Sequence, residues 1–190
     1  MIAATAQAYP RRHRVTVREY HRMAETGVLS AQDRVELIEG ELIDTTPIGP
    51  RHADTVDRIV ATFSRQAMPG LRIRVQNPLT LGDASEPQPD IAIVADRSYA
   101  ADHPGPTDTR LVIEVSDTTL AFDREVKLAL YARFVVPEAW IVDLPAGQLT
   151  VYREPAAGGF RRTIHTNTDD LVSPVGVPTL ALSPSELFGP

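Results

Sequence analysis

Asp90 and Glu114 are the residues whose placement asks for a chemical explanation. Asp90 opens the apolar run "DIAIV". Glu114 interrupts "LVIEVS", where Leu111, Val112, Ile113 and Val115 otherwise read as a strand buried on both faces. A carboxylate left without a partner in such a run either costs several kcal/mol or gives up its charge. Two of them on neighbouring strands raise each other's pKa, an arrangement poor for stability. A divalent cation reverses this. It satisfies the oxygens, keeps both groups ionised and leaves positions open for water and phosphate. Mg²⁺ is commonly held by only one or two carboxylates plus substrate oxygens, which is what this pair can offer. The structural alternative is that Asp90 caps a turn after Pro89 and Glu114 meets an arginine.

A third group belongs beside them. The chain has eighteen arginines and a single lysine, Lys127, in the helical-looking "AFDREVKLALYARF". Lys127 lies about four residues into that helix, roughly 6 Å along its axis. Glu114 precedes its strand's end by about three residues, roughly 10 Å. If the helix folds back along the strand, ammonium and carboxylate come within side-chain reach. Lysine also offers a compact ammonium whose pKa can fall enough to assist a water nucleophile, which arginine cannot do. The alternative is an ordinary Asp123–Lys127 surface pair at i, i+4.

The elements that must position these groups follow from local signals. Residues 1–14 read as a mobile arm, and 15–190 as one domain. Thr16 with Glu19 resembles a capping box opening a short helix that Gly27 can close. "RVELIEGELIDTT" alternates around Glu39-Gly40 as a β-hairpin does. From Pro50, "RHADTVDRIVATFSRQAM" sets Ala53, Val56, Ile59, Val60 and Phe63 at helical spacing. "LRIRVQNPLTLG" and "PDIAIVAD" read as strands, followed by a loop to Thr109 and the strand of Glu114. The next helix places Phe122, Val126, Ala129, Leu130 and Phe134 along one face. "EAWIVDL", "QLTVYRE" and "FRRTIHT" finish the sheet, and the Pro-rich tail is mostly irregular. The fold class is α/β: a central mixed β-sheet flanked by helices, with an N-terminal helix and β-hairpin.

Composition narrows the chemistry. The chain has no cysteine, which removes disulfides, thiolate metal sites and thiol nucleophiles. A net charge of −6 argues against a protein that coats nucleic acid, though not against a local site bridged by metal. No apolar run reaches the ~18 residues of a membrane span. The N-terminus lacks the charged-then-apolar order of a signal peptide, so the expectation is cytoplasmic, without membrane.

An acid at the head of one strand, an acid inside the next and a nearby lysine resemble the PD-(D/E)XK nucleases. "PD" is Pro89-Asp90, and "EVS" stands where that superfamily has E-X-K, so Ser116 replaces the usual lysine. A longer series is more specific: "YHRM", "DRVELIEGELID", "RHADTVDRIVATF", "QPDIAIV", "LVIEVSDTT", "DREVKLALYARFVVPEAWIVD" and "VYRE", in that order. Together these resemble the Uma family of restriction-endonuclease-like proteins, over about residues 15 to 185. In that family the lysine comes from the helix after the glutamate strand, where Lys127 stands. "RFVVPEAW" departs from it by lacking a glycine before "VPE" and an aromatic before Trp140, which bears on packing.

The resemblance implies that Asp90 and Glu114 bind Mg²⁺ (or Mn²⁺), with the Val115 carbonyl as a further ligand. It implies that Lys127 orients or activates water, and that Glu36 in "VELIEG" completes the catalytic set. A solvent-facing hairpin role for Glu36 is the alternative. His52 matches a family histidine that could touch substrate, against a plain hydrogen bond at its helix end. Gln88 could contact phosphate, against a turn amide. Tyr131 reads as a packing ring, and Trp140 and Asp143 as structural. The function implied is metal-dependent endonuclease cleavage of DNA by a homodimer. The competing reading is a nuclease fold with little turnover that serves as a nucleic-acid-binding or interaction module. A metal-free carboxylate pair is weaker, because it gives the lysine no task and needs one acid protonated near neutral pH.

Overall fold

The computed structural model describes residues 11–30 and 32–188. Most of the arm expected over 1–14 lies outside the described residues. Its last residue is already held, because the Arg14 guanidinium donates to the Glu39 carbonyl at 2.7 Å.

The capping box opens α1 (Val17–Glu25): Glu19 N–H donates to Thr16 Oγ1, and Thr16 N–H donates to Glu19 Oε2. Gly27, at φ +75°, ends the turn that follows. β1 (Val35–Ile38) and β2 (Glu41–Asp44) form an antiparallel hairpin. Its two turn residues, Glu39 and Gly40, have φ of 51° and 80°, which a tight primed turn demands. Gly40 is needed twice over, since a Cβ there would lie 2.6 Å from Arg14 Cβ. α2 (Pro50–Ser64) starts on proline, whose missing N–H costs nothing in a first turn, and buries Val56, Ile59 and Phe63.

Six strands make the central sheet: β3 (Leu71–Val75), β4 (Ile91–Ala95), β5 (Thr109–Ser116), β6 (Glu138–Asp143), β7 (Gln148–Ala156) and β8 (Gly159–His165). They lie in chain order, with β5 and β6 parallel and every other pair antiparallel. A parallel pair needs a crossover, and the helical stretch 120–133 supplies it. Residues alternate across the sheet. Ile91, Ile93, Leu111, Ile113 and Val115 pack on α2 and on the tail residues Val172, Val177, Leu180, Leu182 and Leu187. Ala92, Val94, Val112 and Ile141 face Leu128, Leu130, Tyr131 and Leu79. With both faces covered, β4 and β6 can be apolar almost throughout. The tail also carries a short helix, α5 (Pro184–Phe188).

The crossover departs from the single α-helix that periodicity suggests. It runs as α3 (Leu120–Phe122), a π-helical segment (Asp123–Lys127) and α4 (Leu128–Arg133). The Leu128 N–H reaches the Asp123 carbonyl five residues back, so this turn holds one residue more than an α-turn. The face changes accordingly. Ala129, expected inward, is exposed, while Asp123, Lys127 and Tyr131 are buried.

Candidate active site

Glu114 occupies the even-numbered face of β5, the face covered by the crossover helix. The register that pairs Ile91 with Ile113 brings Asp90, one residue before β4, level with Glu114. Asp90 Oδ2 accepts the Val115 N–H at 2.8 Å, which ties the two strands together at that point. Asp90 Oδ1 faces His52 Nε2 at 3.0 Å and accepts from Gln76 Nε2 at 3.3 Å. Gln76 reaches it because its own backbone turns left-handed, at φ 49°, directly after β3.

Glu36 arrives from the other side, on fully buried β1. Lys127 Nζ donates to Glu36 Oε1 at 3.1 Å and lies 3.4 Å and 3.5 Å from the two oxygens of Glu114. Tyr131, one turn further, donates its hydroxyl to Glu114 Oε1 at 2.5 Å. Asp123, one turn earlier, accepts from Ser116 Oγ and Thr119 Oγ1 at 2.8 Å and 2.6 Å. Asp123, Lys127 and Tyr131 thus form a row at i, i+4, i+8. In a regular α-helix each such step drifts about 40° around the axis. The wider π turn reduces that drift and holds the row on the sheet-facing side.

The electrostatics are lopsided. Three carboxylates (Glu36, Glu114 and Asp123) share Lys127, while Asp90 faces His52. Burial pushes the Glu114 carboxyl well above its ordinary value; Lys127 opposes the shift, and Asp123, Asp90 and Glu36 add to it. Glu36 and Asp123 are raised for the same first reason. Burial works against the Lys127 ammonium, but Glu114, Glu36 and Asp123 outweigh it, and its pKa moves up. This corrects the expectation that the lysine pKa falls: the amine stays charged, so it can donate hydrogen bonds and offset charge but not take a proton. Burial also works to lower His52, and the bond and charge of Asp90 reverse that into a rise. Burial, then Glu114, drive Tyr131 well upward, so its hydroxyl keeps its proton.

All seven residues singled out from the sequence line one cleft of about 450 Å³: Glu36, His52, Gln88, Asp90, Glu114, Val115 and Lys127. Glu36 is buried, not solvent-facing, and His52 bonds to Asp90 in preference to its helix end. Sequence reasoning read Tyr131 only as a packing ring and Asp123 only as a surface partner of Lys127, and it missed Gln76. The first two carried a signal, since both stand four residues from Lys127. Trp140 is a core residue, its indole N–H donating to buried Glu138 at 2.6 Å. Among the described residues, one oxygen here, Glu36 Oε2, is buried without a hydrogen-bond partner. An orphaned carboxylate oxygen within an excess of acids suits a hard divalent cation with oxygen ligands.

A mixed sheet with two acids brought level on adjacent strands, under a helix that carries the lysine, has the architecture of a nuclease-like α/β protein. A crystal structure from Anabaena variabilis ATCC 29413, described as a putative nuclease belonging to DUF820, is similar, with a TM-score of 0.71. The match covers 92% of this chain and 97% of that one, and at 20% identity the likeness is one of fold. The chain belongs to the Uma2 family, described as "putative restriction endonuclease", whose pattern matches residues 17–185. No curated protein matches it.

Proposed function

We propose that the cleft is the active site of a divalent-cation-dependent endonuclease that hydrolyses phosphodiester bonds in DNA. Family and fold support a nuclease. The observation that carries the rest is the convergence of Asp90, Glu114, Glu36 and Lys127 on one open cleft, with Glu36 Oε2 unpartnered. Asp90, Glu114 and the Val115 carbonyl would hold Mg²⁺ or Mn²⁺, an all-oxygen set suited to such ions. When bound, the ion supplies Lewis-acid polarisation of the phosphate and a water of lowered pKa.

The chain's own residues orient and neutralise. Lys127, kept protonated by its acids, presents N–H donors and positive charge to phosphate oxygens, where charge gathers in the transition state. Tyr131 fixes the Glu114 carboxylate from behind, and His52 with Gln76 fixes Asp90. Gln88, on the cleft wall, offers an amide to the substrate backbone. We assign the protein to the cytoplasm as a homodimer, an arrangement that would present two such clefts to the two strands of a duplex.

The test is a cleavage assay of purified protein on supercoiled and single-stranded DNA with Mg²⁺, Mn²⁺ or EDTA, beside Asp90→Ala. Cleavage that needs the ion and disappears in Asp90→Ala is the expected result. Divalent ions that neither bind nor support cleavage would favour the interaction-module reading.

A further inference from the structure

A second group of ligand-type side chains meets away from this cleft. His21 on α1, Glu86 in the segment between β3 and β4, and His103 in the loop between β4 and β5 each offer one ligand atom, all within 4.8 Å of one another. Three elements converge there with no local sequence reason to do so. His21 Nε2 lies 2.9 Å and 3.0 Å from the two Glu86 oxygens, almost evenly between them. The imidazoles of His21 and His103 stand nearly perpendicular, at 79°, with centroids 6.1 Å apart.

The carboxylate is anchored before any ligand arrives. Glu86 is only 2% exposed; Thr80 Oγ1 donates to its Oε2 at 3.2 Å, and its N–H donates to the Leu37 carbonyl. His103 Nδ1 is buried and has no hydrogen-bond partner among the described residues. His21 and His103 both line a second open cleft, which shares no lining residue with the first. α1 fully buries none of its side chains; His21–Glu86, the Tyr20 hydroxyl donating to the Val35 carbonyl and the Val17 N–H donating to the Asp83 carbonyl tie it to the rest of the fold.

We propose that His21, Glu86 and His103 form a transition-metal site of the Zn²⁺ class, with an open position toward the second cleft. Two imidazoles and one carboxylate are the donors of three-ligand zinc sites that keep a place for water. They are borderline donors, unlike the all-oxygen set around Asp90, so the two sites select different ions. An ion there clamps α1 onto the segment that continues through Gln88 to Asp90. Arg18 and Arg22 on the cleft wall would face whatever anion takes the open position.

The test uses chelator-treated full-length protein titrated with Co²⁺, whose visible d–d absorption reports imidazole coordination, followed by competition with Zn²⁺. The expected result is an imidazole-type band that saturates at one equivalent of absorbing Co²⁺ and is displaced by Zn²⁺. His103→Ala and His21→Gln should weaken it about tenfold or more, while Asp90→Asn leaves it unchanged. His21 is half-exposed and glutamine keeps a donor toward Glu86, so His21→Gln separates metal ligation from a purely structural hydrogen bond. No Co²⁺ band in the wild type, equal binding by wild type, His103→Ala and His21→Gln, or loss in Asp90→Asn would overturn the assignment.

Discussion

Replacing Lys127 with methionine removes one ammonium and little volume, and it tests the electrostatics of the cleft directly. Lys127, Glu36 and Glu114 have side chains only 7%, 6% and 5% exposed, so solvent cannot take over the lost charge. Removing one partner of a buried ion pair costs about 3–5 kcal/mol, because a desolvated charge is left uncompensated. Here two carboxylates depend on the same cation. For a domain of 190 residues, where 1 kcal/mol shifts Tm by about 2–4 °C, the expected fall is roughly 6–20 °C near neutral pH. The pH dependence follows from the direction of the carboxyl shifts. Glu36 and Glu114 are raised by burial above the ordinary 4.5 even with Lys127 present, and the substitution removes the main opposing influence. A carboxyl raised on folding contributes its stability below the unfolded pKa and loses it as pH climbs through the folded one. The deficit should therefore be widest near pH 8 and shrink toward pH 5. Thermal unfolding by circular dichroism in metal-free buffer across that range measures it. A Lys127→Met protein with wild-type Tm at pH 8, or with an equal deficit at both ends, would show that Lys127 does not hold these acids ionised.

Three further outcomes are expected. Lys127→Arg should lose most cleavage despite keeping its charge, since a planar guanidinium fork presents its donors differently from the compact ammonium that sits between Glu36 and Glu114; steady-state kinetics decide. Glu114→Gln should abolish ion-dependent cleavage yet leave the metal-free protein as stable as wild type or more so at pH 8, read by Tm, because it deletes a buried charge whose pKa burial already raises. Tyr131→Phe should cost about 1–3 kcal/mol by stripping a buried carboxylate of its donor, and should lower kcat more than it raises KM; an unchanged kcat would remove Tyr131 from the positioning role.

Much of the frame was legible because its signals are local. Thr16 and Glu19 cap reciprocally, Glu39-Gly40 turns with both φ positive, and Pro50 starts its helix, as their types suggest. The acids were legible for the opposite reason, as local violations of an apolar pattern that only a tertiary partner could explain. The tertiary partners were harder to read. Gln76 reaches Asp90 through a left-handed backbone that no residue type at that position advertises. Tyr131 looks like a core ring, and it is one; only its buried hydroxyl reveals the bond to Glu114. Lys127 comes within reach of Glu114, as the spacing suggested, but spacing could not count the acids around it, which push its pKa up. His21, Glu86 and His103 stand far apart in the chain, and no spacing rule joins them.

The extra residue between Asp123 and Leu128 makes the buried polar row and the roof over the sheet separable. Leu128, Leu130 and Tyr131 cover β5 and β6 from the C-terminal side of that widened turn, so a helix shortened by one residue within 123–127 could still lie across the strands. Its polar row, however, would rotate by about 100° at the cut, carrying Asp123 away from the acids it now accompanies. A single-codon deletion is thus a short mutational route from a chain with this acidic cleft to one that keeps the architecture and has one acid fewer beside Lys127. The length of this helix, and not only its letters, distinguishes the two.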